Sequence, residues 1–220
     1  MAKKIGVLLS GCGVFDGAEI HESTLTLYFL DREGVEIICM APDVDQLHVI
    51  NHQTSQEMDE TRNILVESAR ISRGNMKDLS SVSAGDLDGL VLPGGFGAAK
   101  NLVNYAVKGR DCSIHPDVKR IIKEIVAAGK PLGAMCIAPV VVAVALKDES
   151  LNPVLTIGTD AATASDVEYF GATHQNTPVD EVAVDEAHKI VTTPAYMLGP
   201  GISDIAKGIE NLVKQVLAWI

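Results

Sequence analysis

Short unbroken apolar runs alternate along this chain with longer stretches whose apolar residues recur at helical spacing. Residues 3–10 predict a first strand, apolar on both faces and broken by Ser10-Gly11-Cys12-Gly13. Residues 18–32 carry Ile20, Leu25, Leu27, Tyr28 and Leu30 in a helical pattern, with Gly34 beyond as a stop. Residues 35–40 predict the second strand, ended by Ala41-Pro42. Strand, helix and strand at this spacing make a βαβ unit, which implies a parallel pair and a right-handed crossover.

The pattern then departs from the alternation. Residues 43–81 hold a short apolar run (Leu47, Val49, Ile50), polar turn residues, and a helical pattern through Ile64, Leu65, Ala69 and Ile71 that stops near Gly74. This stretch reads as an excursion beyond the sheet edge. Residues 87–92 predict the third core strand, closed by Pro93-Gly94-Gly95-Phe96-Gly97, with helices expected at 98–105 and 116–128. The next strand runs into Cys136 and a long apolar, alanine-rich helix (140–146). A strand at 153–157, a short helix at 163–170, strands at 179–184 and 189–193, and a closing helix at 202–220 complete the chain. No linker, repeat or low-complexity run interrupts it. One doubly wound α/β domain over residues 1–220 is the expectation, with its site at the carboxyl ends of the strands.

Composition narrows this. Of the 220 residues 47% are hydrophobic but only 4% aromatic, so the core is built from Val, Ile, Leu and Ala, as in parallel sheets covered by helices. A net charge of -11 argues against nucleic acid or an anionic membrane as partner. The apolar run near the start, residues 5–9, is too short for a signal-peptide core or a membrane span. Cys12, Cys39, Cys112 and Cys136 form no C-x-x-C pair, so neither a disulfide framework nor a zinc ribbon is expected. These features predict a reduced, cytoplasmic protein, with a mitochondrial matrix location left open if a presequence is removed.

Cys136 is the focus of the candidate chemistry. It follows a buried strand and precedes a helix, an elbow that lifts a nucleophile to the sheet edge and sets its sulfur at a helix N-terminus. The dipole alone is expected to lower the thiol pKa by about one unit, while an ionised Glu22 would raise it; burial around Glu22 is expected to keep that carboxyl protonated beside a thiolate. The bland alternative is a buried, inert cysteine. Amides at Gly95 and Ile137 form a candidate two-donor oxyanion hole. Glu22, one turn into a helix that starts beside the site, is within reach of Cys136, although acidic residues at 19 and 22 also suit a helix start. Gly94, Cys12 and Thr193, on the converging loops, are the expected substrate contacts. Gly11-Cys12-Gly13 begins like a dinucleotide fingerprint, but Asp16 stands where a third glycine is wanted, so no nucleotide cofactor is expected. His48 and His52, four apart, would share a helix face, yet lack further ligands of fixed geometry, and no metal is expected.

Taken together, L-P-G-G-F-G-A-A-K-N-L (92–102), G-A-M-C-I-A-P (133–139), Glu22, and V-T-T-P-A-Y-M-L-G-P-G (191–201) resemble the superfamily of PfpI-type proteases and the Parkinson-linked deglycase. The opening S-G-C-G-V-F-D-G-A-E-I-H-E, the segment V-I-N-H-Q-T and E-T-R-N-I-L-V-E-S-A-R-I resemble the ElbB-type glyoxalases, also called isoprenoid-biosynthesis proteins with an amidotransferase-like domain. The likeness spans nearly the whole chain. It implies a flavodoxin-like three-layer sandwich, a class I glutamine amidotransferase-like domain, a nucleophile at Cys136, a partner carboxyl at Glu22, and oxyanion donors at Gly95 and Ile137. By analogy it also implies a homodimer.

One departure matters. The amidotransferases and proteases of this superfamily are expected to place a histidine beside the cysteine, whereas Ile137 follows Cys136 and Thr192-Thr193-Pro194-Ala195-Tyr196 contains none. Amidase or peptidase chemistry is therefore disfavoured. A Cys–Glu pair instead suits a 2-oxoaldehyde. The expected activity is a glutathione-independent, cofactor-free glyoxalase (a lyase) turning glyoxal to glycolate and methylglyoxal to lactate, with the same chemistry extending to glycated thiols or amines. The competing expectation is a redox-sensing or partner-binding protein with an oxidisable Cys136.

Overall fold

In the computed structural model, which describes residues 3–220, strand β1 (Lys4–Leu8) lies near the centre of a seven-stranded sheet. Helix α1 (Ile20–Arg32) returns the chain to β2 (Glu36–Ala41), which pairs parallel to β1 with Ile5 opposite Ile37. The βαβ unit is thus formed as the hydrophobic pattern predicts. On the other side of β1 lie β6 (Gly89–Leu92), β7 (Leu132–Met135) and β11 (Ile190–Thr193), all parallel, while β10 (Ala183–Asp185) closes that edge antiparallel. The short β5 (Lys77–Asp78) caps the opposite edge beside β2.

Two apolar layers sandwich the sheet, the arrangement that parallel strands buried on both faces require. Ile5, Val7 and Val91 face Phe29 and Leu30 of α1 and Ile205, Ile209 and Leu212 of α7 (Ile202–Ala218). Leu8, Leu90, Leu92 and Leu132 face Ile121, Ile122 and Ile125 of α4 (Pro116–Ala127) and the whole of α5 (Ala138–Leu146). Every residue of α5 is buried. A helix that is apolar all round has no face to give to water, which accounts for its Val/Ala composition.

The excursion is a two-stranded hairpin (β3, Ile50–Asn51; β4, Gln56–Glu57) followed by α2 (Ile64–Ile71), whose N-terminus Asn63 caps by accepting from the Val66 N–H (3.0 Å). Its first part is not helical, so His48 and His52 share no helix face. Asn101 ties the excursion down: its Nδ2 donates to the carbonyls of Ser10 and Asp16 (2.8 Å each), and its Oδ1 accepts from the Leu47 N–H (3.0 Å).

Three elements differ from expectation. The strand expected at 179–184 is confined to β10, residues 179–182 being turn and loop. The segment expected as one helix at 98–105 is a π-helical turn (Ala98–Leu102) followed by the short α3 (Tyr105–Lys108). The break falls at Val103, which bridges to Ile114. The strand expected at 153–157 shrinks to β8 (Val154–Leu155), which pairs with β9 (Thr173–His174) in a separate two-stranded sheet. Side chains of the main sheet, rather than a ladder, hold this segment. The Val154 N–H donates to Asp185 Oδ2 (2.9 Å) and the Thr156 N–H to Thr192 Oγ1 (2.8 Å). Between β8 and β9 lies α6 (Ala161–Tyr169).

Candidate active site

Four loops meet at the carboxyl edge, one each after β1, β6, β7 and β11. The third carries Cys136, which has a left-handed backbone (φ +59°) between β7 and α5. This conformation costs a non-glycine residue about 1–3 kcal/mol. The turn is held by the Cys136 N–H, which donates to the Thr193 carbonyl (3.0 Å). The backbone amides of Gly95 and Ile137 face the sulfur and favour its thiolate form. Gly95 itself needs its lack of a side chain: its φ is +92°, and a Cβ there would lie 2.5 Å from the Glu19 nitrogen and the Gly17 oxygen.

Glu22 is fully buried, and its carboxyl and the Cys136 sulfur crowd the same point, 2.8 and 3.0 Å from where a Cβ on Gly94 would lie. Backbone amides hold it there: the Gly94 N–H donates to Oε2 (2.8 Å) and the Tyr196 N–H to Oε1 (3.3 Å). Gly94 is required for this packing, since a Cβ would come within 2.5 Å of the Cys136 Cβ and 2.8 Å of Glu22 Oε2. Its amide is therefore committed to Glu22 rather than to substrate. Glu19 caps α1 by accepting the Glu22 N–H (2.7 Å) and is itself nearly buried.

The electrostatics differ from the sequence expectation. Burial, then the neighbouring charge of Glu19, pushes the Glu22 carboxyl up to about 7, against the pull of the Tyr196 and Gly94 amides. The Cys136 thiol is pushed well above its ordinary range, first by burial and next by the charge of Glu22, although the Gly95 and Ile137 amides favour the thiolate. The expected one-unit lowering by the helix dipole is thus overridden: desolvation in a closed site outweighs a half-charge at a helix end. Cysteine and glutamate form a coupled pair that keeps at least one proton at neutral pH, on sulfur or on carboxyl.

None of the three expected substrate contacts lines the cavity beside this pair: Gly94 packs between Glu22 and Cys136 instead. Thr193 is fully buried; its hydroxyl donates to the Glu181 carbonyl (2.8 Å), and its own carbonyl holds the Cys136 amide. Cys12, half-buried on the loop after β1, is absent from the cavity wall. The cavity, about 470 Å³, opens over Cys136, Gly95 and Ile137, and its walls include Glu19, Phe96, Tyr105 and Tyr196. Of these, Tyr196 and Glu19 are the residues that sequence reasoning misses. Tyr196 acts on Glu22 through its backbone, which leaves no side-chain signal, and Glu19 reads simply as a helix cap.

Among the described residues, no histidine meets the sulfur. His21 Nδ1 pairs with the Tyr196 hydroxyl (2.8 Å), and His188 pairs with Asp185 (2.9 Å) before β11 begins, at the far end of that strand from the site. His52 is engaged with the Phe15 amide (3.2 Å).

The comparisons agree with this architecture. No family model matches the chain. The human glutamine amidotransferase-like class 1 domain-containing protein 3, mitochondrial, is 44% identical over 98% of this chain and 83% of its own length. The chain belongs to that amidotransferase-like family. The ES1 protein, mitochondrial, of Danio rerio is 35% identical over 97% of this chain and 84% of its own. A crystal structure of an isoprenoid biosynthesis protein with amidotransferase-like domain from Ehrlichia chaffeensis superimposes with a TM-score of 0.92 at 36% identity, covering 99% of both chains. The flavodoxin-like α/β fold of the family is therefore that of this chain. The expected cytoplasmic location is corrected: the human and Danio rerio relatives are named mitochondrial, as is an ES1 protein homolog of Rattus norvegicus. Composition could not reveal this, because a location is read by import receptors and is not a property of the folded core.

Proposed function

We propose that this chain is a cofactor-independent glyoxalase acting on 2-oxoaldehydes through Cys136 and Glu22. The observation that carries the reading is the buried Glu22 carboxyl against a sulfur that two backbone amides already face. Glu22 takes the thiol proton as the sulfur adds to the aldehyde carbon, forming a hemithioacetal. The Gly95 and Ile137 amides then hold the oxygen on which charge develops. Glu22 passes the thiol proton to that same oxygen and, ionised again, removes the hydrogen of the aldehyde carbon and delivers it to the neighbouring carbon through an enediol, while the hydroxyl proton of the first carbon moves to the oxygen of the second. The first carbon is thereby oxidised and the second reduced, leaving a thioester. Water cleaves it to the 2-hydroxy acid and frees the thiol. A carboxyl poised near 7 suits both directions of proton transfer at neutral pH.

The redox-sensor reading needs an accessible thiol of low pKa. Cys136 is only 8% exposed and its thiol is raised, which speaks against it. The test is glyoxal turnover by pure protein. Cys136→Ala should fall to background, and Glu22→Gln should lose about 10²–10⁴-fold in rate. Retained turnover in Cys136→Ala rejects the mechanism.

A further inference from the structure

The cavity over Cys136 is much larger than glyoxal. A molecule of four heavy atoms needs on the order of 120 Å³ when each is allowed the ~30 Å³ share of a liquid water. The cavity offers about 470 Å³, within the ~300–1,000 Å³ of pockets that hold drug-sized ligands. Most of its lining is apolar, Val14, Phe96, Ala99, Ala106 and Met197 among it, with Glu19, Asp160 and Thr163 the polar exceptions. Both tyrosine hydroxyls at the site are already engaged, Tyr105 with Asp166 (2.6 Å) and Tyr196 with His21 (2.8 Å). Phe96 is half exposed at the mouth, where a ring left in water gains by covering a ligand.

Charge is equally one-sided. The ionisable groups lining the cavity, besides the thiol and the tyrosines, are the carboxyls of Glu19 and Asp160. No Lys, Arg or His is among the lining residues. The nearby cations are otherwise engaged: Lys100 donates to the Phe15 carbonyl (2.9 Å) and Arg110 pairs with Asp166, while the His21 ring is held by the Tyr196 hydroxyl (2.8 Å). An anionic ligand would meet two carboxylates and find no counter-charge.

We propose that the site takes an uncharged 2-oxoaldehyde bearing an apolar, ring-sized substituent, and discriminates against both glyoxal and anionic carbonyl compounds. This rests on the glyoxalase reading for the reacting group, while the apolar and charge selectivity rest on the cavity alone. The substituent lies against Phe96, Tyr105 and Met197, and the aldehyde carbon meets the sulfur.

Two measurements separate these. In the first, kcat/KM for phenylglyoxal and glyoxal is compared in wild type and in Ala106→Trp. Ala106 is exposed on α3, so the larger ring is accommodated from the solvent side and narrows the cavity mouth. Phenylglyoxal should lose about tenfold or more, the scale of a lost apolar contact, and glyoxal less than about twofold. In the second, alkylation at Cys136 is followed by peptide mass spectrometry with iodoacetamide, its N-phenyl derivative and iodoacetate, each rate normalised to free cysteine. The phenyl reagent should react fastest, and iodoacetate at least about fivefold slower than iodoacetamide. Equal normalised rates, or equal losses of the two aldehydes in Ala106→Trp, overturn the inference. If neither aldehyde is turned over but the alkylation order holds, the glyoxalase chemistry falls and the ligand class stands.

Discussion

The buried Glu22 makes stability depend on pH in a direction opposite to most carboxylates. In the unfolded chain its proton leaves near 4.5; in the folded protein it leaves at about 7. Between those values the folded state binds more protons than the unfolded state, so stability falls as pH rises through the interval and levels off above it. The gap of about 2.5 units corresponds to ~3 kcal/mol, most of it lost between pH 5 and 8. No solvent screening reduces this, because the residue is fully buried. Glu22→Gln keeps the size and an acceptor for the Gly94 N–H but cannot ionise. Urea unfolding of both proteins, followed by circular dichroism across pH 5–8, cancels in the difference every titrating group not coupled to Glu22. The variant should gain ~2–3 kcal/mol on wild type as pH rises over that range. A difference constant to within about 0.5 kcal/mol would show that the carboxyl titrates normally, and the proton-shuttling role would go with it.

Three further outcomes follow from the packing. Glu19→Gln keeps an acceptor for the Glu22 amide but removes the charge that helps raise the Glu22 carboxyl, so the acid limb of the glyoxal pH–rate profile should move to lower pH while the far-ultraviolet spectrum stays unchanged. Gly94→Ala should cut turnover by about 10²-fold or more, because its Cβ must displace the sulfur or the carboxyl; wild-type rates in that variant would refute the required close approach. Asn101→Ala removes one hydrogen bond to the excursion and two to the turn after β1, and should destabilise the fold by ~1–3 kcal/mol, with hydrogen exchange rising first at Leu47.

Several elements were legible in the residues alone because their signals are local. The βαβ unit over the first forty residues follows from apolar runs, a helical period and Gly34. The closing helix follows from Ile205, Ile209, Leu212, Val213 and Val216, which all point inward. The elbow is legible because an apolar strand and an apolar helix flank one cysteine. What the sequence does not fix is how side chains from distant turns share one volume. Glu22 and Cys136 are over a hundred positions apart, and only the fold decides that the carboxyl is buried against the sulfur rather than left in water at a helix start. The same holds for the direction of the thiol pKa: the helix end can be read from sequence, but desolvation depends on everything packed around it and exceeds the dipole. Thr193 and β8 went astray for a related reason. Their hydrogen bonds go to Glu181 and to Asp185 and Thr192, partners that no periodicity encodes. Local pattern determined the elements and their order. Burial, set by the tertiary packing, decided which of their polar groups hold a proton and face the cavity.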